Sequence, residues 1–417
     1  MDPICATLQR IPKKIGIYTQ GNKFYKDRAV YKGIGVNHWV LLLNTWLDMN
    51  GTGAYGDAGA ALDVLTMRND WELPFARISA TPLEASDQAA IHSDSSAWLG
   101  HFDALVAKCE DEDFGLIITL SWALRNLCAA TYEIHGVYSP PSTLAYKTST
   151  AWALFEEFVT AIVARYKNSN AIFGWEIANE PNLTLGHEYN SAWNVNGTNP
   201  AYIDWGARPD GGAWQTTDKM SMAQWREFTR NAILLIRSLD PYGRFISPGT
   251  SQGNAFGMAA QTSATPINST YAQWDSGINT LNWPHYRDQN CDVMSLHAYP
   301  AIAGTNTLFY EDFRTHTELV QVFKHFADDA NVPLFVGEFG ANYLDPAGDK
   351  NSTSAETEAA NFAAMLDAII NNDVPLSAAC NYGGNASGST AWQKWLMTTE
   401  SRKYQLEAIR SVNRAIA

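Results

Sequence analysis

The chain has 417 residues, 46% of them hydrophobic and 17% charged, which is enough to bury a large core. A formal net charge of −14 leaves no electrostatic footprint for a phosphate backbone or an anionic membrane surface, so nucleic-acid and membrane partners are excluded. No stretch is long and apolar enough to span a bilayer. Met1 to Lys14 lacks the apolar core of a signal peptide, so the expectation is a chain that is intracellular or secreted with its leader removed, the second being preferred.

The five cysteines, Cys5, Cys109, Cys128, Cys291 and Cys380, are odd in number, dispersed, and without a CxxC pair. They form neither a disulfide framework nor a zinc site, and Cys109 and Cys380 read as small buried hydrophobes. The nine histidines are scattered, with no HxH or HExxH, so no metal and no cofactor is expected. Fifteen Trp and eighteen Tyr are a heavy aromatic load, suited to core packing and to stacking on the C–H faces of sugars.

In chain order, Ile15 to Tyr25 reads as a hairpin around Gly21-Asn22 that plugs the base of a barrel. Val30 to Asn37 is the first long strand, and Asp57 to Arg68 looks helical. Leu73 to Ser79 is the second strand, followed by a helix from Ser96 to Cys109. Gly115 to Ser121 has no polar alternation, as expected of a strand buried on both faces. Ser149 can cap a helix to Lys167 whose apolar stripe is Trp152, Phe155, Val159, Ile162 and Tyr166. The fourth strand runs through Ala171-Ile172-Phe173 into Asn179-Glu180, where Pro181 stops it: proline cannot donate to a ladder and restrains the residue before it.

Ser221 and Gln224 have capping-box spacing before a helix that Pro241 ends. Strands come next at Arg244 to Ser247, Asp292 to His297, Leu334 to Gly340 and Leu376 to Asn381, with helices from Phe313 to Asp328 and after Thr353 between them. Eight short strands alternating with helices, with no linker between them, predict one (β/α)8 TIM barrel, a single catalytic domain over residues 1–417. An open doubly wound sheet is the alternative, but no Gly-rich phosphate fingerprint comes after the first strand. Three βα loops are long, Leu41 to Gly56, Trp122 to Thr148 and Pro181 to Met220, and a barrel builds its catalytic face from such loops.

Two of these strands end in a glutamate, Glu180 and Glu338. A carboxyl at the carboxyl end of a buried barrel strand sits where barrel chemistry sits, and two facing each other suit acid/base work at a glycosidic bond. Charged side chains are rarely buried at strand ends without function. Glu176 shares parity with Glu180 and reads as a hydrogen-bonding residue of the barrel interior. His38 and Trp39, just after the first strand, either line the sugar site or pack.

The segments GWEIANEP, SLHAYP and LFVGEFG, at the ends of the fourth, sixth and seventh strands, resemble the clan A glycoside hydrolases, most of all glycoside hydrolase family 5. The resemblance implies that Glu180 is the general acid/base and Glu338 the nucleophile of a retaining enzyme. It implies that Asn179 holds the sugar 2-hydroxyl, that Arg77 keeps the nucleophile ionised, that Tyr299 hydrogen-bonds it, and that His297 lies beside the acid/base. The chain departs from the family pattern twice. Ser121 and Trp122 stand where a histidine is usual, and Asn381 and Tyr382 stand where a tryptophan floors the central subsite, so Trp122 and Tyr382 are candidate sugar contacts.

The expected substrate is an oligo- or polysaccharide, a β-1,4-mannan or β-glucan cut internally. The long loop 182–220, with Trp193, Tyr202, Trp205 and Trp214, would instead favour exo action if it closed one end of the cleft. A sugar-binding barrel without catalysis is the rival from another class. Its carboxyls would be free to drift, yet neither glutamate is lost.

Overall fold

The computed structural model describes residues 14–47, 56–181, 208–212, 215–218, 220–251, 290–298, 316–340, 355–383, 396–398 and 402–416. Three short strands, β1 (Tyr18–Gln20), β2 (Lys23–Lys26) and β3 (Ala29–Val30), form an antiparallel sheet that turns at Gly21-Asn22. Eight longer-range strands make the main sheet: β4 (Gly33–Asn37), β5 (Phe75–Ser79), β6 (Gly115–Ser121), β7 (Ile172–Ala178), β8 (Phe245–Ser247), β9 (Met294–Ala298), β10 (Leu334–Phe339) and β11 (Leu376–Cys380). Their order is β8-β7-β6-β5-β4-β11-β10-β9, and all seven neighbouring pairs are parallel. At the remaining seam, the Asp292 N–H donates to Ile246 O at 3.2 Å and the Ile246 N–H donates to the Asp292 carboxylate at 2.7 Å. The result is a nearly closed TIM barrel.

Alternation along the strands divides the core in two. Phe75, Ile117, Phe173, Phe245, Val293, Phe335, Leu376 and Ala378 point inward and fill the barrel's lower half. Ile17 and Phe24 of the N-terminal sheet complete that cluster from below, and Ile17 ties in by backbone bonds to Phe173 O (2.9 Å) and from Phe245 N (2.8 Å). The hairpin is therefore a plug, as expected of Ile15 to Tyr25. The outward-pointing residues, among them Val36, Ala76, Ile78, Ile118 and Trp175, pack under the helices.

The helix over Thr150–Tyr166 is capped by Ser149, whose Oγ accepts from Trp152 N at 3.1 Å. Ser221 and Gln224 close a reciprocal capping box at the start of the helix Met222–Leu239.

Three expectations change. Val30 belongs to the small sheet, because the Tyr31 N–H bonds to Phe24 O and holds this segment on β2, so the first barrel strand starts at Gly33. The stretch from Trp122 to Thr148 contains a helix, Leu124–His135, with Leu124, Leu127, Cys128 and Thr131 buried along one face, ended by Gly136 at φ 67°. The stretch from Leu41 to Gly56 likewise begins with a short helix, Leu43–Leu47, and an unforeseen helix covers Ala85–Ser93. Most of the third long loop, 182–207, lies outside the described residues. Among the described residues, no helix is long and apolar enough to cross a membrane.

Candidate active site

Polar residues gather at the carboxyl ends of the strands, above the apolar plug. Arg77 on β5 is fully buried and is the hub. Its Nε donates to Glu176 Oε1 (2.9 Å), its Nη2 to Glu176 Oε1 (2.6 Å) and Asn179 Oδ1 (2.7 Å), and its Nη1 to Asn37 Oδ1 (2.8 Å) and Glu338 Oε1 (2.7 Å). A guanidinium has five N–H groups, and all five are thus engaged by protein. Burial works against its charge, but Glu176 and Glu338 outweigh burial and hold the guanidinium above its ordinary pKa.

Strand register explains the convergence. Asn37 and Arg77 are partners across β4 and β5, and His297 and Glu338 across β9 and β10. Glu176 stands between Thr119 on β6 and Ser247 on β8, its partners in register, and both hydroxyls donate to it, at 2.8 and 3.1 Å. This fully buried carboxylate thus has protein donors on both of its oxygens.

β7 ends at Ala178, two residues before Glu180, which adopts a left-handed backbone with φ 47°. That conformation costs a residue with a side chain about 1 kcal/mol and is met here because the turn is pinned. Glu180 N–H donates to Gly249 O at 2.9 Å and Asn179 N–H to Ser121 O at 3.0 Å. Gly249 must be glycine: at φ 74°, a Cβ there would lie 1.7 Å from Ala178 O.

The turn presents the Glu180 carboxyl to His297, whose Nδ1 lies 2.9 Å from Glu180 Oε1 and 3.7 Å from Glu338 Oε1. One oxygen of each glutamate and the His297 nitrogen all lie within 4.8 Å of one another. Glu180 remains partly open to solvent while Glu338 is nearly buried.

Of the residues singled out by sequence, the fold brings Glu180, Glu338, Arg77, Asn179 and His297 into one constellation. Trp122 joins it, with the Arg77 guanidinium carbon 5.1 Å from its ring centroid and Trp39 stacked on it at 5.5 Å. His38, Trp39 and Tyr382 are buried. His38 turns to the outer helical layer, its Nε2 2.8 Å from Asp63 on the helix Gly56–Leu65, and Tyr382 packs beside it with ring centroids 5.6 Å apart. Ser121, in the place of the usual histidine, is buried with its hydroxyl unbonded. Tyr299 lies outside the described residues, as do Trp193, Tyr202, Trp205 and Trp214.

Asn37 is not among the residues that the sequence singles out. Besides accepting from Arg77, its amide donates to Gly337 O at 2.9 Å and Ala378 O at 3.2 Å, bridging β10 and β11. Its one sequence signal is a polar residue closing an otherwise apolar strand, GIGVN.

Known proteins resemble this chain in sequence and in fold. Mannan endo-1,4-beta-mannosidase A of Hypocrea jecorina is 27% identical over 190 residues, 43% of this chain and 41% of that protein. A probable mannan endo-1,4-beta-mannosidase A of Aspergillus niger is 26% identical over 116 residues, 26% of this chain and 30% of that protein. The matched segments thus span less than half the length of these relatives. The fold superposes on the endo-1,4-beta-mannanase of Rhizomucor miehei with a TM-score of 0.62 at 14% identity, covering 96% of this chain and 99% of the other. It superposes on an exo-beta-1,4-mannosidase of Opitutaceae bacterium strain TAV5 with a TM-score of 0.58 at 13% identity, covering 95% and 62%. The sequence profile of the cellulase family, glycosyl hydrolase family 5, matches residues 40–385. With five-sixths of its length matched by that profile, the chain belongs to glycosyl hydrolase family 5.

Proposed function

We propose that this protein hydrolyses a β-linked glycan with retention of configuration, cutting β-1,4-mannan internally, with β-glucan as the other polymer to test. The observation that carries the reading is the approach of Glu180 and Glu338 to within 4.8 Å at the mouth of the barrel. Retaining enzymes hold their two carboxyls about 5–5.5 Å apart, whereas inverting enzymes leave room for a water between them. Mannan is put first because the sequence relatives carry endo-mannosidase names.

In the first step Glu338 attacks the anomeric carbon as the glycosidic C–O bond breaks, and the departing oxygen takes a proton from Glu180. In the second, Glu180 takes a proton from water, whose oxygen attacks the same carbon and releases Glu338. Arg77 lies on the Glu338 oxygen and favours its ionised form. Because Asn179 Oδ1 is taken by Arg77, its NH2 group is the end left to donate to the sugar 2-hydroxyl.

Exo action is the second reading, favoured by the fold's likeness to the exo-beta-1,4-mannosidase. Digesting β-1,4-mannan and sizing the products decides: a ladder of oligosaccharides supports internal cleavage, mannose alone supports exo action. Proton NMR of the first-formed anomer tests retention. If Glu338→Ala kept full turnover, the two-carboxylate reading would fall. The same three atoms are close enough to grip a divalent cation, so the assay is run with and without a chelator, and loss of turnover on chelation would replace the proposal.

A further inference from the structure

The Trp122 ring, placed by sequence among the sugar contacts, already has two partners in the protein. Trp39 stacks on it, 5.5 Å between centroids at 24° between planes, and the Arg77 guanidinium lies 5.1 Å from its centroid. Trp39 is buried and sits with Val40 and Leu43 in a small apolar cluster that Leu83 and Trp122 complete. That cluster packs against the indole.

The edge of Arg77 is spent: each N–H has a protein acceptor. What remains of a saturated guanidinium is its face, and its central carbon lies over the Trp122 ring, 5.1 Å from the centroid. A cation over an indole is attracted by the ring quadrupole, most strongly where water is excluded. Water reaching that face would instead screen Arg77 from its carboxylates.

Resting on the reading of Glu338 as nucleophile, we infer that Trp122 is a positioning residue, covering the face of Arg77 and holding it against Glu338 and Asn179, and not a platform for the sugar. It acts through Arg77 and touches no reacting atom.

The groups that set the charge here come from several elements. Among the described residues, Arg77 from β5, His297 from β9 and Glu180 from the turn after β7 face Glu338. Glu176 on β7 stands behind Arg77, Asn37 on β4 is neutral, and β11 carries no acidic or basic side chain.

The test compares Trp122→Ala, Trp122→Phe and Trp122→Leu on an activated aryl β-glycoside that the wild-type protein turns over. The readouts are kcat, KM and the pH profile of kcat/KM, with Glu338→Ala as control. Expected for Trp122→Ala is a loss in kcat/KM of roughly tenfold, carried by kcat, with the acid limb moved to higher pH. Trp122→Phe recovers most of both, because it keeps an aromatic face. Trp122→Leu, which keeps apolar volume but no π-system, does not, and the Phe–Leu pair decides even if Trp122→Ala fails to fold. A rise in KM with the acid limb unmoved, or equal behaviour of Phe and Leu, would overturn the inference and return the indole to the sugar site. Full turnover by Glu338→Ala would instead overturn the underlying assignment of the nucleophile, so the two failures are told apart.

Discussion

Arg77 gives two of its N–H groups to a single oxygen of Glu176, Nε at 2.9 Å and Nη2 at 2.6 Å, and both side chains are fully buried. The guanidinium is clamped from one side before it reaches Glu338 with Nη1. A third carboxylate therefore sets where the charge beside the proposed nucleophile sits.

Glu176→Gln removes that clamp while keeping the shape. Breaking one side of a buried ion pair leaves a charge under-compensated, which costs about 3 kcal/mol. The expected outcome is a loss of that order in urea denaturation with an unchanged m-value, together with a fall in kcat larger than any change in KM. Activity untouched by a correctly folded Glu176→Gln would show that the Arg77–Glu338 contact needs no support from β7.

Glu180, in the acid/base role, matters in proportion to how much help the leaving group needs. Glu180→Ala is expected to slow cleavage of a natural glycan by roughly 10²–10⁴-fold. An aryl glycoside whose leaving group departs without a proton should lose far less in its first step and should accumulate the glycosyl-enzyme, seen as a burst of phenol. Equal losses on both substrates would remove Glu180 from proton transfer.

Cys109 and Cys128 are buried, and burial pushes both thiols well above the ordinary cysteine range. The thiolate is the reactive form, so neither should react with a disulfide reagent in the native protein, and both should react in denaturant. Fast native labelling at either position, located by peptide mass, would contradict the packing of the helices Ser96–Asp111 and Leu124–His135.

Asp103 accepts from both arms of Arg165, Nε at 2.6 Å, and from the Tyr166 hydroxyl at 3.0 Å. The Arg165 bond chiefly holds its carboxyl below the usual range, against burial. A depressed folded pKa contributes stability above the unfolded value, about 3.9, that is lost as pH falls through the folded one. Asp103→Asn should therefore flatten the fall of Tm below about pH 4 and leave the profile's shape near neutrality unchanged. The effect should be small, because the pair is half exposed and screened. An unchanged acid slope would assign the acid sensitivity elsewhere.

Much of the barrel is legible along the chain. GLIITLS and LFVGEF lack the polar alternation of a half-exposed strand because parallel barrel strands are covered on both faces, and the structure places strands over both. Ser149 and Ser221 announce their helices because capping is a contact between residues three apart. What escapes a reading of the chain is tertiary. The helix Leu124–His135 reads as loop because its pattern opens directly after a strand with no capping side chain, Ala123 standing at that position. Asn37 escapes because a single polar residue at a strand end carries no period.

Strand length and period-2 alternation are local properties of the chain and already place Arg77, Asn179, Glu180, His297 and Glu338 near the carboxyl rim, although β7 ends at Ala178, short of the end expected at Glu180 before Pro181. What each of them meets there is settled by the closed barrel. Arg77 bonds Glu176, 99 residues away, and Glu338, 261 away, while His38, beside the rim in sequence, turns outward to Asp63. Side-chain partnership depends on strand register and barrel closure, and those are set by the packing of the whole core.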